Sequence, residues 1–229
     1  MEMGISPAYV KESKIKRRPL YWGIKRLFDF LASLVALILL SPLFLVLAIK
    51  IHREDGGPVF YSQIRIGKDE KPFRIYKFRS MVVNAEKMKK DLLEQNEVEG
   101  AMFKMHDDPR ITKIGKFIRA HSLDELPQLW NVLIGNMSLV GPRPPLPNEV
   151  EQYTDYDKQR LLVKPGCSGL WQATSRNAAD FAEMVQLDIE YINRSGVFFD
   201  LWIIFKTIGV IFHPNGMYEE WEIAFLKER

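Results

Sequence analysis

Cysteine is almost missing from this chain. Cys167 stands alone, which excludes an intramolecular disulfide framework and suits a reducing compartment or a cytoplasm-facing surface. Its setting, Lys164-Pro165-Gly166-Cys167-Ser168-Gly169, reads as a turn, where a cysteine is a small packing residue rather than a catalytic thiol. A strong charge of one sign is lacking too. The formal net charge of +3 over 229 residues is far from the pattern of nucleic-acid binding by bulk charge. There is no internal repeat, and the length suits one catalytic unit.

Charge is also nearly absent from residues 27–51, where only Asp29 and Lys50 interrupt an apolar run. About twenty apolar residues suffice to cross a bilayer. The run exceeds the apolar core of a secretory signal, and no small-residue cleavage site follows it. Instead comes His52-Arg53-Glu54-Asp55-Gly56-Gly57-Pro58, charged and turn-forming. A spanning helix and a re-entrant one both fit. Ser41-Pro42 tips the balance toward re-entry, because proline removes a backbone donor in mid-run and the serine hydroxyl can satisfy the carbonyl so freed. Basic residues also flank both ends: Lys11, Lys14, Lys16, Arg17, Arg18, Lys25 and Arg26 before, Lys50, Arg53, Arg65 and Lys68 after. A simple span is lopsided in this respect.

The remainder alternates strand and helix signals. Pro58-Val59-Phe60-Tyr61-Ser62-Gln63 and Phe73-Arg74-Ile75-Tyr76-Lys77-Phe78-Arg79 flank the turn Gly67-Lys68-Asp69-Glu70, a β-hairpin pattern. Helical periodicity is expected around residues 82–95, 111–120, 124–133 and 181–194, with a loop entrance at 94–100. Residues 197–212 are apolar but contain Asp200 and Lys206. They read either as an interfacial helix or as a core-facing one, and the tail 217–229, with Trp221 and Phe225, offers a further interfacial contact. The expected class is α+β and helix-dominated: a re-entrant N-terminal membrane helix hairpin, a small β-hairpin and amphipathic interfacial helices. The expected divisions are a basic tail (1–20), the re-entrant segment (21–52) and a membrane-surface catalytic domain (53–229).

The densest polar constellation is Arg119-Ala120-His121-Ser122-Leu123-Asp124-Glu125-Leu126-Pro127-Gln128, followed by Pro142-Arg143-Pro144. Ser122 can cap a helix in which Asp124 and Glu125 occupy the first turn, where the helix dipole favours their ionised forms. That structural explanation is sufficient for the carboxylates alone. The accompanying cations Lys77, Arg79, Arg119 and Arg143 add a phosphate-binding reading. Two carboxylates are enough to hold Mg2+ when phosphates supply further oxygens. An aspartate can also attack phosphorus to form an acyl-phosphate.

These stretches, with Lys77-Phe78-Arg79-Ser80-Met81, residues 131–144 and 164–172, resemble the bacterial sugar transferase family, the monotopic phosphoglycosyl transferases, from about Trp22 onward. The resemblance implies that Asp124 is the nucleophile, taking a sugar phosphate from a nucleotide sugar as a covalent intermediate, with Glu125 helping to hold Mg2+. It implies phosphate binding by Arg119 and Arg143, nucleotide-sugar contacts by Arg176 and Asp188, and supporting roles for Lys77 and Arg79. It also favours re-entry at Ser41-Pro42 and a site at the cytoplasmic face of the bacterial inner membrane. The implied partners are a nucleotide sugar, polyprenyl (undecaprenyl) phosphate and membrane lipids, with no nucleic acid and a homodimer entertained. The basic stretch from Lys11 to Arg18 stands where larger members carry further transmembrane helices and an extra domain. Two rivals stay in view: a non-catalytic scaffold of the same fold, and a transferase in which the lipid phosphate attacks directly.

Overall fold

The computed structural model describes residues 9–10, 15, 18–91, 108–174 and 180–212. Helix α1 spans Pro19–Leu39 and α2 spans Ser41–Asp55. The hairpin strands β1 (Phe60–Ile66) and β2 (Pro72–Phe78) follow, then α3 (Ala85–Asp91) and α4 (Lys113–Ala120). A one-turn 3-10 helix, Leu123–Glu125, leads to α5 (Gln128–Leu133), β3 (Ser138–Val140), α6 (Pro147–Val150) and α7 (Asp155–Lys158). Last come β4 (Gly166–Ser168), α8 (Leu170–Ala173), α9 (Phe181–Arg194) and α10 (Val197–Phe212). The helix-dominated class with a small antiparallel hairpin is therefore as the sequence indicated.

The apolar run forms two helices bent by 60° at Leu40, and among the described residues no single helix is long and apolar enough to cross a membrane. The break has the anticipated chemistry. Pro42 cannot donate to the carbonyl four residues back, that of Ile38, and the Ser41 hydroxyl donates to that carbonyl at 2.7 Å instead. Helix α2 continues to Asp55 and stops at Gly56, whose φ of 71° is the left-handed cap conformation that a side chain resists.

Helix α1 is inside out. Its buried positions are Lys25, Asp29 and Ser33, one per turn, while Leu20, Leu27, Leu31 and Leu39 are exposed. Ser33 donates to the Phe30 carbonyl of its own helix, and the two charged members of the stripe are satisfied by the body of the protein. The Lys25 ammonium lies 3.0 Å from Asp200 on α10, and Asp29 accepts a hydrogen bond from the Leu139 amide at 3.1 Å. Tyr21 and Tyr191 both donate to Asp200, at 2.8 and 2.9 Å. Arg26 donates to the last carbonyls of α5, those of Val132 and Leu133, at 2.6 and 2.8 Å.

Strands β1 and β2 pair antiparallel from Phe60↔Phe78 to Ile66↔Pro72, closed at the anticipated turn by the Gly67 amide donating to the Lys71 carbonyl. A second, parallel pair was not anticipated: β3 with β4, in the register Ser138↔Gly166 and Val140↔Ser168. The stretch read as a turn at Gly166-Cys167-Ser168 is thus a strand. Only glycine permits the approach, because a Cβ on Gly166 would sit 2.1 Å from the Gly141 nitrogen. Cys167 packs beside the small cluster of Ile75, Val132 and Met137, and burial pushes its thiol well above the ordinary cysteine range, as suits a packing residue.

Three other boundaries differ. The helix expected over 124–133 is a 3-10 turn followed by α5, with Pro127 between them. The helix expected from residue 111 starts at Lys113, because Thr112 caps it through the Gly115 amide. Helix α3 covers only part of the expected 82–95, whose end, like the loop 94–100 and the tail 217–229, lies outside the described residues. Residues 197–212 do form a helix with one side in the core, at Asp200 and Ile203, and Phe198 and Phe205 exposed. Most of the basic tail is outside the described residues, but the Val10 amide donates to Gln159 and Arg18 to the Ser195 carbonyl.

Arg79 closes the hinge between α2 and β1. Its guanidinium meets both oxygens of Asp55, at 2.5 and 2.6 Å, and also donates to the carbonyls of Pro58 and Met81. The Arg79 hydrogen bonds hold the Asp55 carboxyl below its ordinary value. A depressed carboxyl stabilises the fold above its unfolded-state value and loses that contribution as pH falls through the folded one. Arg79→Ala should therefore cost roughly 1.5–3 kcal/mol at neutral pH. In denaturant titrations the gap from wild type should narrow below about pH 4. An unchanged gap across that range would refute the clamp.

Candidate active site

Asp124 and Glu125 sit on the 3-10 turn, which is entered through Ser122 in the left-handed conformation, φ 54°. Ser122 makes no side-chain cap bond, so the anticipated capping role is not what the structure uses. The turn is fixed by its apolar neighbours instead. Leu123 and Leu126 pack against the cluster of Leu47 and Ile51 on α2, Phe78 on β2 and Ile118 on α4. A one-turn element carries little dipole, so the ionisation of the two acids depends on their surroundings.

Those surroundings drive the carboxyls apart. Enough protein surrounds Asp124 that burial raises its pKa to about 6, with the charge of Glu125 adding to the rise and Lys77 and Arg119 opposing it. The expectation that the helix start favours its ionised form is thereby corrected. Glu125 also pays for burial, although its side chain is 40% exposed and reaches solvent along one side. Its Oε1 lies 2.5 Å from the Lys77 ammonium, and that contact holds Glu125 below the ordinary carboxylate range. Glu125 is thus an ionised group, and Asp124 is a carboxylate raised in energy by poor solvation.

Three side chains not singled out from sequence build this pocket. Asn131, fully buried, receives the Tyr76 amide on its oxygen at 3.1 Å and donates to the Arg74 carbonyl at 2.7 Å, locking α5 to β2 beside Lys77. Gln128, also buried, adds a side-chain hydrogen bond to Glu125. Residues 125, 128 and 131 recur at a spacing of three, a signal of one shared face. Arg65, noted only as a basic flank, donates to the Pro144 carbonyl at 3.1 Å, and the Ile66 amide donates to Pro145. This fastens the loop carrying Arg143 to the hairpin.

The structure gathers some of the predicted residues and sets others apart. Lys77, Arg119 and Arg143 all act electrostatically on the acidic pair. Arg119 is exposed at the last turn of α4. Arg79 does not join them, since Asp55 and two carbonyls occupy its guanidinium. Asp188 is wholly buried, paired with Arg160 behind Arg143, and burial raises its pKa to about 6. Both are placed as supports rather than as groups open to a ligand. Arg176 lies outside the described residues.

No group of three or more metal-binding side chains occurs among the described residues. The acidic pair still fits Mg2+: it offers hard oxygens from two adjacent residues, one already raised by the other's charge, and this ion completes its shell with phosphate and water.

An aliphatic face turned outward on α1, and a turn whose two carboxylates are tuned in opposite directions under the charges of Lys77, Arg119 and Arg143, are the features that set this chain's class. The model of the family described as "Bacterial sugar transferase" matches residues 20–214, and the chain belongs to that family. It is 50% identical over 193 residues to the galactosyl transferase CpsE of Streptococcus agalactiae, covering 84% of this chain and 43% of that protein. It is 46% identical over 199 residues to the undecaprenyl-phosphate galactose phosphotransferase of Salmonella typhimurium, covering 85% and 42%. With the exopolysaccharide production protein ExoY of Rhizobium meliloti it shares 40% over 217 residues, covering 93% and 96%. The chain thus spans less than half the length of the first two and nearly all of the third.

The ion pair makes a direct prediction. Lys77 lowers both carboxyls, so Lys77→Met should raise the pKa of Asp124 and of Glu125 together. Carboxyl-carbon NMR titration of selectively labelled protein measures this. Movement of neither would show that Lys77 does not govern the pair.

Proposed function

We propose that the chain is an enzyme that transfers a sugar 1-phosphate from a nucleotide diphosphate sugar, a UDP-hexose by class, to a polyprenyl phosphate. The products are a polyprenyl-diphosphate sugar and a nucleoside monophosphate, a first membrane step of exopolysaccharide, capsule or glycan assembly. The observation that carries this reading is the turn on which Asp124 is raised to about 6 beside a Glu125 held ionised by Lys77. The phosphotransferase name of the Salmonella relative supports it.

In this reading an oxygen of ionised Asp124 bonds to the sugar-bearing phosphorus, and the bond to the nucleoside monophosphate breaks, its electron pair leaving with that group. An oxygen of the polyprenyl phosphate then attacks the same phosphorus and Asp124 departs as carboxylate. Poor solvation of Asp124 makes the attacking oxygen more reactive, and Arg119 and Arg143 share the developing charge on the phosphate oxygens. Lys77 and Gln128 keep Glu125 ionised and oriented. Asp124 and Glu125 would hold Mg2+, which when bound neutralises charge on the diphosphate. Arg176 and Asp188 serve the nucleotide sugar, Asp188 by supporting the Arg143 segment from behind.

The bent pair α1–α2 is the re-entrant membrane segment of this reading, residues 21–52, with the tail 1–20 and the catalytic domain 53–229 on the cytoplasmic face of the bacterial inner membrane. Its support is the reversal of polarity on α1: charged groups turn inward to Asp200 and backbone partners, and aliphatic side chains turn outward. Single cysteines near residues 20 and 55, in a Cys167→Ser background, should be equally shielded in whole cells from an impermeant reagent. Labelling of only one would mean a span and end the hairpin topology.

For the chemistry, Asp124→Asn should abolish turnover and also the release of nucleoside monophosphate in the absence of lipid acceptor. Glu125→Gln should slow both steps and be partly rescued by added magnesium. Stoichiometric monophosphate release by Asp124→Asn would instead favour direct attack by the lipid phosphate.

A further inference from the structure

A cavity of about 340 Å³ lies away from the acidic pair, between the start of α1, strand β3 and the segment leading into β4. None of Lys77, Arg119, Asp124, Glu125 or Arg143 lines it. Its floor is apolar, with Trp22 and Val140 among its residues, while Lys25, Arg26, Lys68 and Lys164 bring four cations to it against one lining carboxylate, Asp29.

The cations are unevenly compensated. Lys25 has Asp200, and Arg26 donates to the neutral carbonyls of Val132 and Leu133 and lies over the Phe30 ring. Neither Lys68 nor Lys164 forms an ion pair among the described residues. Burial lowers the pKa of the Lys164 ammonium, and the charges of Arg26 and Lys68 lower it further against the opposing pull of Asp29. Lys68 and Lys164 are both exposed and stand at the cavity's open side, where an arriving anion would meet them together with Arg26. A bare inorganic phosphate would leave the apolar floor unfilled, whereas a phosphate carrying hydrocarbon satisfies both parts. The cavity also adjoins the N-terminal half of α1, whose other side presents Leu20, Ile24 and Leu27 outward.

We propose that this cavity is a second phosphate site, distinct from the acidic pair, that takes the headgroup of an anionic phospholipid and so anchors the entry of α1 at the membrane surface. It rests on the membrane placement of α1 proposed above. The cations at its open side gain a counter-charge, and the apolar surface of Pro19 and Trp22 gains hydrocarbon.

The test uses the full chain reconstituted in phosphatidylcholine vesicles with or without phosphatidylglycerol, with lysine acetylation read residue by residue by mass spectrometry. Phosphatidylglycerol should slow modification of Lys164 and Lys68 several-fold, relative to exposed Lys116 on α4. Lys68→Gln should raise the phosphatidylglycerol needed for half-protection of Lys164 about fivefold, the effect of one cation near an anionic surface. Inorganic phosphate, added to phosphatidylcholine vesicles, should protect neither. Full protection by inorganic phosphate alone would reassign the site to a soluble anion and overturn the lipid assignment. Absence of protection by phosphatidylglycerol, or equal protection at Lys116, would overturn the site itself. Monophosphate release by Lys68→Gln and Lys164→Gln should stay at wild-type level, and protection should persist in Asp124→Asn, so the two proposals fail in different assays. Failure of the chain to enter vesicles would overturn the membrane placement and the lipid site with it.

Discussion

Asp200 is the point on which the two halves of this molecule close. It sits on α10, near the end of the chain, and takes hydrogen bonds from Tyr21 and Lys25 on the first helix and from Tyr191 on α9. A buried ion pair of this kind contributes little net stability over an apolar replacement, yet removing one partner costs about 3–5 kcal/mol because the other charge is stranded. Its value is orientation. With Lys25, Asp29 and Ser33 committed to the protein side, α1 has one way to face, and its aliphatic side chains must point outward. A helix docked through ordinary apolar packing would have hidden the surface that this one leaves bare.

The same logic places the acidic pair. Leu123 and Leu126 attach the turn to α2, while Lys77 reaches it from β2, and Asn131 binds β2 to α5 through both of its amide atoms. The two carboxyls are neighbours in sequence yet shift in opposite directions, because burial dominates at Asp124 while at Glu125 the Lys77 ammonium at hydrogen-bond distance outweighs it. Arg65 fixes the Arg143 loop from the opposite strand of the hairpin. The hairpin is thus the frame of the site, contributing an ammonium from one strand and loop support from the other.

Much of this was legible in the residues. Pro42 carries its consequence in its chemistry, since a missing donor at 42 frees a carbonyl at 38 and the serine beside it can reach that carbonyl. The β1–β2 hairpin and α9 were readable because alternation and helical spacing are local properties. What escaped is non-local. Strands β3 and β4 are three residues each and pair in parallel across an intervening stretch of more than twenty residues, so neither carries a periodic signal of its own. Ser-x-Asp-Glu is a capping pattern wherever a helix follows, which points to Ser122 as a cap, but here Pro127 interrupts the helix and Ser122 makes no cap bond. Arg79 and Asp188 illustrate a different limit: a charged residue in a family-like motif can be a clamp, and burial and partners distinguish a clamp from a ligand-binding group.

The proposed reaction, between a water-soluble donor and a lipid-borne acceptor, requires an active centre that touches both phases, and in that reading the packing of α2 would supply one. If α1 and α2 continued as a straight helix, Leu47 and Ile51 would be carried away from the body, and the turn of Leu123 and Leu126 would lose the surface it rests on. The bend at Leu40 folds α2 back so that its buried face becomes part of the site's foundation while Leu45 and Val46 stay exposed. In the proposed reaction, the membrane anchor and the support of the nucleophile are therefore one element, and the proline that breaks the helix is a requirement of the chemistry as much as of the topology.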